Sequence, residues 1–247
     1  MIKRFLKAII NALFPSDVTC ICCDNELRYE EERKHCVCVK CQQEINYIGD
    51  KPQIIENAAL GFSEFFTVYD YEGKIKNIVV GFKDGKKAYL AEYIAKMLYD
   101  VYSQKEIKAD CVAYTPCSPQ KTRQRGFDPM KLVAEKFAEL SSLKITHCLE
   151  RSNKGLDQTE SADRYKNIKG LFYAAKDKKD TDIKGKTIIL IDDVITTGAT
   201  ASECCKVLKQ CGAGKIILLT LAQAASFERY KTSFIPRNEN KNMAVDN

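Results

Sequence analysis

Two apolar runs, "TIILI" at 187–191 and "KIILLTLA" at 215–222, flank a stretch whose apolar residues recur at helical spacing between 198 and 211. Such a segment has few ways to fold. Each run is too uniformly hydrophobic for a strand with one wet face, so both strands need cover on two sides. The helix between them supplies the crossover that parallel pairing requires. The alternation repeats upstream: strand "FFTVYDY", helices "GKIKNIVVGFK" and "KAYLAEYIAKMLYDVYS", strand "DCVAYTP", a helix from Pro129 to Leu140 and strand "KITHCLE". In the second of these helices Leu90, Tyr93, Ile94, Met97, Leu98 and Val101 form one apolar stripe, while Lys96 and Asp100 face away. The fold class is α/β with a mainly parallel sheet.

Directly after the most hydrophobic run stand Asp192 and Asp193, followed by "ITTGAT". The pattern puts both acids at a strand's carboxyl end and a tight turn into a helix behind them, where open parallel sheets bind ligands. Thr196, Thr197, Gly198, Ala199 and Thr200 offer consecutive N–H groups and hydroxyls at a helix N-terminus, a cradle suited to phosphate. Gly198 removes a side chain where the backbone approaches the ligand. Asp192 and Asp193 suit hydroxyl groups or a magnesium ion. Phosphate at one end and a diol at the other describe a ribose 5-phosphate. Ordinary helix capping accounts for one such residue, but not for two acids and two threonines around a glycine. "GKT" at 185–187 is not a P-loop, since position 180 is Asp180 and the lysine precedes a strand.

Six of the twelve cysteines fall between Cys20 and Cys41. Cys20 with Cys23 and Cys38 with Cys41 form two C-x-x-C knuckles about fifteen residues apart, the spacing of a structural tetrathiolate zinc site. A metal would replace the core that so short a piece lacks. Four thiolates leave no open position for water, so the zinc is structural. Cys22, Cys36 and His35 leave a shifted register open, and a redox dithiol is the other reading of the cluster. With no export signal in view, the distribution favours a metal site in a reducing compartment, and the cytoplasm is the expected location.

The net charge of +6 is scattered and does not form the basic stripe typical of nucleic-acid binding. No apolar run reaches the ~18–20 residues that span a bilayer. Ile2, Phe5, Leu6, Ile9, Ile10 and Leu13 fall at helical spacing before Pro15, which reads as a short amphipathic docking helix, with membrane-surface contact as the alternative. Three zones follow: residues 1–50 with helix and cysteine module, 59–225 as the main domain, and 231–247 as a polar, flexible tail.

"IILIDDVITTGAT" resembles the phosphoribosyl-pyrophosphate (PRPP) signature of type I phosphoribosyltransferases. The wider sequence is similar to ComF-like proteins, which join a two-knuckle zinc module to such a domain. "YDYEGKIKNIVVGFKDGKKAYLAEYIA", "TPCSPQKTRQRGFDPMKLVAEKFA" and "QTESADRYKNIKGLFYA" carry that similarity, the last with Gln158, Arg164, Asn167 and Phe172 in the expected places. The resemblance implies a parallel sheet of the type I phosphoribosyltransferase kind. It implies that Asp192 and Asp193 bind ribose hydroxyls at the catalytic centre and that residues 196–200 bind the 5-phosphate. Cys117, Ser118, Lys121, Arg123 and Arg125 would meet pyrophosphate, with Mg accompanying PRPP; a basic surface turn is the plain alternative. Where the family reads Arg-Gly-Phe-Asn-Gln, this chain has Arg125-Gly126-Phe127-Asp128-Pro129, losing an amide pair while Pro129 suits a helix start.

Phosphoribosyl transfer needs no side-chain nucleophile, which agrees with only two histidines, His35 in the module and His147 in an expected strand. The resemblance implies an enzyme acting on an acceptor chosen by a variable hood, here the module junction and residues 59–71. It also implies a link to DNA uptake in natural transformation, and so a second reading as a non-catalytic PRPP- or single-strand-DNA-binding competence factor, with DNA or competence proteins as partners. No interleaved aromatic and basic stretch forms a stacking platform.

Overall fold

The computed structural model describes residues 19–23, 25–27, 37–49, 60–84, 87–153, 168–175 and 183–227. The expected N-terminal helix and C-terminal tail lie outside them, as do His35, Cys36, Gln158, Arg164 and Asn167. The elements run α1 (Val39–Gln43), β1 (Glu64–Asp70), α2 (Gly73–Lys83), α3 (Leu90–Gln104), β2 (Cys111–Tyr114), α4 (Pro119–Arg125), α5 (Pro129–Ser141), β3 (Lys144–Ile145), β4 (Leu149–Arg151), β5 (Phe172–Ala174), β6 (Thr187–Ile195), α6 (Ala199–Gln210) and β7 (Lys215–Gln223).

Five strands form one sheet in the order β1-β7-β6-β2-β3, every neighbouring pair parallel. β6 sits at its centre, with Ile188, Ile189, Leu190 and Ile191 wholly buried. Alternate residues serve opposite faces, as the pleat requires. Ile189 and Ile191 pack with α2, α3 and α5, while Ile188 and Leu190 pack with Cys204, Cys205 and Leu208 of α6. Each such side chain contributes about 1.5–3 kcal/mol on burial, so the apolar run anchors the sheet from both sides. The first face also takes in Cys20, Ile21, Leu27, Val37 and Cys41, so the cysteine segment and the sheet share one core.

The connections leaving β2 and β6 diverge. β2 leads through α4 and α5 to the edge strand β3, and β6 leads through α6, on the opposite face, to β7. Neighbouring strands with diverging exits open a crevice at their carboxyl ends.

Three local expectations change. The two aspartates are not at the end of their strand, because β6 runs on to Ile195. Its partner β2 stops first, pairing only as far as Tyr114 with Ile191, while β7 continues alongside to Gln223. The acids therefore lie within a strand whose β2 side is open. The run "KITHCLE" is not one strand: Lys144–Ile145 pairs with β2, and Leu149–Arg151 pairs antiparallel with β5. The break falls around His147, whose Nδ1 meets the Tyr114 hydroxyl at 3.2 Å and whose ring packs edge-on against that of Tyr114. The basic loop after β2 contains the seven-residue helix α4. Ser118 accepts the Lys121 N–H at its start, Pro119 follows, and Gly126 closes it in the left-handed conformation.

Candidate functional site

The floor of the crevice is the acid pair. Asp192 is buried, and its Oδ1 accepts hydrogen bonds from the Thr115 hydroxyl at 2.6 Å and the Asp193 N–H at 2.9 Å. Loss of solvent pushes its pKa from 3.8 to about 7, and the neighbouring carboxylate adds to the rise; the hydrogen bonds and the Lys83 ammonium oppose it. Asp193 is equally buried but better partnered. Its Oδ1 accepts the Val194 N–H at 2.6 Å and its Oδ2 pairs with the ammonium of Lys83.

α4 forms a basic wall. Arg125 donates from Nη2 to Asp84 at 3.0 Å and from Nη1 to the Cys117 sulfur at 3.6 Å. Asp128 fastens the far end. It accepts the Cys117 N–H at 2.8 Å through Oδ2, and the Met130 and Lys131 N–H groups at 3.1 and 3.3 Å through Oδ1. That gives the family departure at Asp128-Pro129 a physical reason: the acid caps α5 and holds the loop, and Pro129 occupies the first helical position. Burial raises the Asp128 pKa despite those three donors.

Between floor and wall lies a cleft of about 170 Å³ whose lining includes Cys117, Lys121, Arg125, Asp192, Asp193 and Thr200 of the expected residues. The remaining expected residues fall outside that lining. Ser118 is fully buried as the cap of α4, and Arg123 is exposed on its outer side. Thr196, Thr197, Gly198 and Ala199 form the turn below Thr200, where the Thr197 Oγ1 accepts the Ala199 N–H at 3.4 Å and the Thr196 carbonyl accepts the Ser226 hydroxyl at 3.0 Å. Gly198 at the N-cap position of α6 contributes no side-chain cap. Gly198 also has a structural reason: its φ is +76°, and a Cβ would meet Leu60 at 3.3 Å and Phe227 at 3.5 Å, in the apolar interior.

Several lining residues had no signal in the sequence. Lys83 is the last residue of α2, Thr115 continues β2, and Arg151 ends β4. The Arg151 guanidinium lies over the Phe172 ring at 5.3 Å, and its Nε is buried with no hydrogen-bond partner among the described residues. All three reach the cleft only through tertiary structure.

Among the described residues, which do not include His35 or Cys36, one cysteine group comes together. The sulfurs of Cys20, Cys23, Cys38 and Cys41 lie within 4.8 Å of one another. Tetrahedral thiolates at a metal–sulfur distance of ~2.3 Å would be about 3.8 Å apart, and Cys23 and Cys38 are separated by 3.8 Å. Cys22 is outside the group, its thiol pushed up to about 12, chiefly by burial. The Cys38 N–H donates to the Cys20 sulfur at 3.3 Å. Burial raises the Cys20 pKa, but this and other backbone N–H groups outweigh it and bring the thiol down to about 7. The four sulfurs fit a tetrahedral metal ion.

Residues 124–237 match the family model of the phosphoribosyl transferase domain. The chain is 22% identical over 195 residues to "Competence protein F" of Haemophilus influenzae, covering 76% of this chain and 84% of the relative. Among solved structures it is similar to an allosteric regulatory enzyme of purine biosynthesis, at 20% identity, 55% of this chain, 25% of that chain and a TM-score of 0.37. A second is the glutamine PRPP amidotransferase from B. subtilis, at 19%, 54%, 26% and 0.36. The chain spans about a quarter of the length of each of these two, and scores of that size establish no equivalence of fold. Residues 124–237 thus resemble a phosphoribosyl transferase domain, and the chain as a whole is similar to a competence protein over most of its length, which supports a ComF-like, type I phosphoribosyltransferase-like reading.

Proposed function

We propose that the cleft binds PRPP and that the chain transfers its phosphoribosyl group to an acceptor. The observation that carries this reading is the juxtaposition of an acid floor, Asp192 and Asp193, with a basic wall, Lys121 and Arg125, at the sheet's diverging strand ends. Carboxylates accept hydrogen bonds from ribose hydroxyls and favour the positive charge that grows on the sugar as its C1–oxygen bond loosens. The electron pair of that bond leaves on pyrophosphate, where Lys121 and Arg125 meet it, and the acceptor's lone pair forms the new bond to C1. The first turn of α6, with Thr200, suits the 5-phosphate.

Magnesium fits this donor set, since hard carboxylate oxygens stand beside the place of the pyrophosphate; when bound it would neutralise charge on the leaving group. Zinc fits the four cysteine sulfurs and would hold the segment folded. The module at 1–50, the transferase domain at 59–225 and the tail at 231–247 form the proposed organisation, with the cytoplasm as the proposed location. No helix among the described residues is long and apolar enough to cross a membrane.

Similarity to a competence protein favours a second reading, a PRPP- or single-strand-DNA-binding factor in DNA uptake. Calorimetry with PRPP and Mg²⁺ on the wild type and on an Asp192→Ala/Asp193→Ala double variant tests the first: the wild type binds and the variant does not. A wild type that fails to bind PRPP rules it out. A screen of nucleobases and amines for PRPP-dependent pyrophosphate release then identifies the acceptor. Salt-dependent affinity for single-stranded DNA, lost when Lys121, Arg123 and Arg125 are neutralised, supports the second.

A further inference from the structure

Helix α2 is tied at both ends. In its first turn Lys74 pairs with Glu44 at 3.4 Å, three residues after Cys41. At its other end two consecutive residues grip the two sides of the cleft: Lys83 places its ammonium on Asp193, and Asp84 takes Arg125 at 3.0 Å. The Lys83 side chain is 29% exposed and that of Asp193 is 12% exposed, so the pair is largely removed from water yet open to the cleft that both residues line. Burial alone would weaken the lysine's charge. The carboxylates of Asp193 and Asp192 overcome that and hold its pKa above the ordinary lysine value.

Placement decides what such a charge does. With the sugar hydroxyls on Asp192 and Asp193 and the pyrophosphate on Lys121 and Arg125, the bond that breaks lies at the junction of floor and wall. Lys83 stands on the floor, and its chain neighbour Asp84 holds the wall's Arg125. We propose that Lys83 is a donor-binding catalytic residue, whose ammonium holds the pyrophosphate oxygen released from C1. This rests on the PRPP reading above. In the step, the C1–oxygen bond breaks and its electron pair stays on pyrophosphate; Lys83 remains protonated and donates a hydrogen bond to that oxygen. Asp193, freed from the ammonium, accepts a ribose hydroxyl in its place. No proton is transferred to or from the protein.

The test compares three ligands by calorimetry in the presence of Mg²⁺: PRPP, inorganic pyrophosphate and ribose 5-phosphate. Lys83→Gln is expected to weaken PRPP and pyrophosphate at least tenfold and to leave ribose 5-phosphate within twofold, and Lys83→Arg to restore much of the loss. Equal weakening of all three ligands overturns the proposal, because it would show that Lys83 only positions Asp193. Unchanged pyrophosphate binding overturns it as well. A wild type that binds none of the three refutes the donor reading and this proposal together, whereas a wild type that binds all three with Lys83→Gln unaltered refutes this proposal alone. Should Lys83→Gln fail to fold, reductive methylation of the wild type answers the same question: pyrophosphate slows modification of Lys83 and ribose 5-phosphate does not. Equal modification with and without pyrophosphate overturns the proposal.

Discussion

Replacing Asp192 by asparagine should make the ligand-free protein more stable while abolishing PRPP binding, and the gain should depend on pH. Asp192 has its carboxyl held at about 7 against an ordinary 3.8, mainly because burial removes it from water. A difference of about three units corresponds to an upper limit of about 4 kcal/mol for keeping the carboxylate ionised in the folded state. Below pH 4 the group is protonated folded and unfolded alike, and the penalty is absent. As pH rises from about 4 to 7 the unfolded chain ionises first, so the wild type loses stability across that window and gains none back above it. Asparagine keeps an oxygen for the Thr115 hydroxyl and the Asp193 N–H but carries no charge, though neutral hydrogen bonds are weaker than charged ones by about 1 kcal/mol. The net expectation is a gain of about 2–3 kcal/mol at pH 8, or roughly 5–10 °C in melting temperature for a chain of this size, shrinking towards zero at pH 4. Thermal unfolding at pH 4, 6 and 8 measures it. A variant destabilised by the same amount at every pH would refute the reasoning, since the ionised Asp192 would then be no burden to the fold.

Cys38→Ser should abolish metal binding, whereas Cys22→Ser should keep one metal per chain, because only Cys38 belongs to the sulfur cluster; metal analysis of the purified proteins checks both. Gly198→Ala places a methyl against Leu60 and Phe227 at φ +76°, and should cost at least about 1–2 kcal/mol by urea unfolding. Asp128→Ala removes the α5 cap and the partner of the Cys117 N–H and should cost about 1–2 kcal/mol. Asp128→Asn, which restores the residue usual in the family, should stay within about 1 kcal/mol of the wild type, since its side-chain oxygen can still cap the helix.

The sheet was readable because its strands are covered on both faces. Runs such as Ile188–Ile191 admit little else, and the helices between them fix the parallel direction. α2 spans Gly73–Lys83 as its apolar spacing indicated, with Ile75, Ile78, Val79 and Phe82 buried. The acids and the turn after them were equally plain, because adjacent carboxylates have no packing role to explain them. What the sequence hid depends on contacts between distant segments. The extent of β6 past Asp193 is decided by β7 on one side and the early end of β2 on the other. Lys83 and Arg151 carry no local signal, because only tertiary structure brings the helix end and strand end that hold them to the cleft. α4 is a different miss, since Ser118, Pro119 and Gly126 are ordinary start and stop signals that the density of basic residues obscured.

The short antiparallel pair β4–β5 sets Arg151 opposite Phe172, and the residues just beyond it on either side are held as well, Asn153 accepting the Gln120 N–H and Glu203 accepting the Gly170 N–H. Because Arg151 both pairs with β5 and lines the cleft, any shift in the register of that two-strand pair would be felt at the rim of the site as well as in the packing.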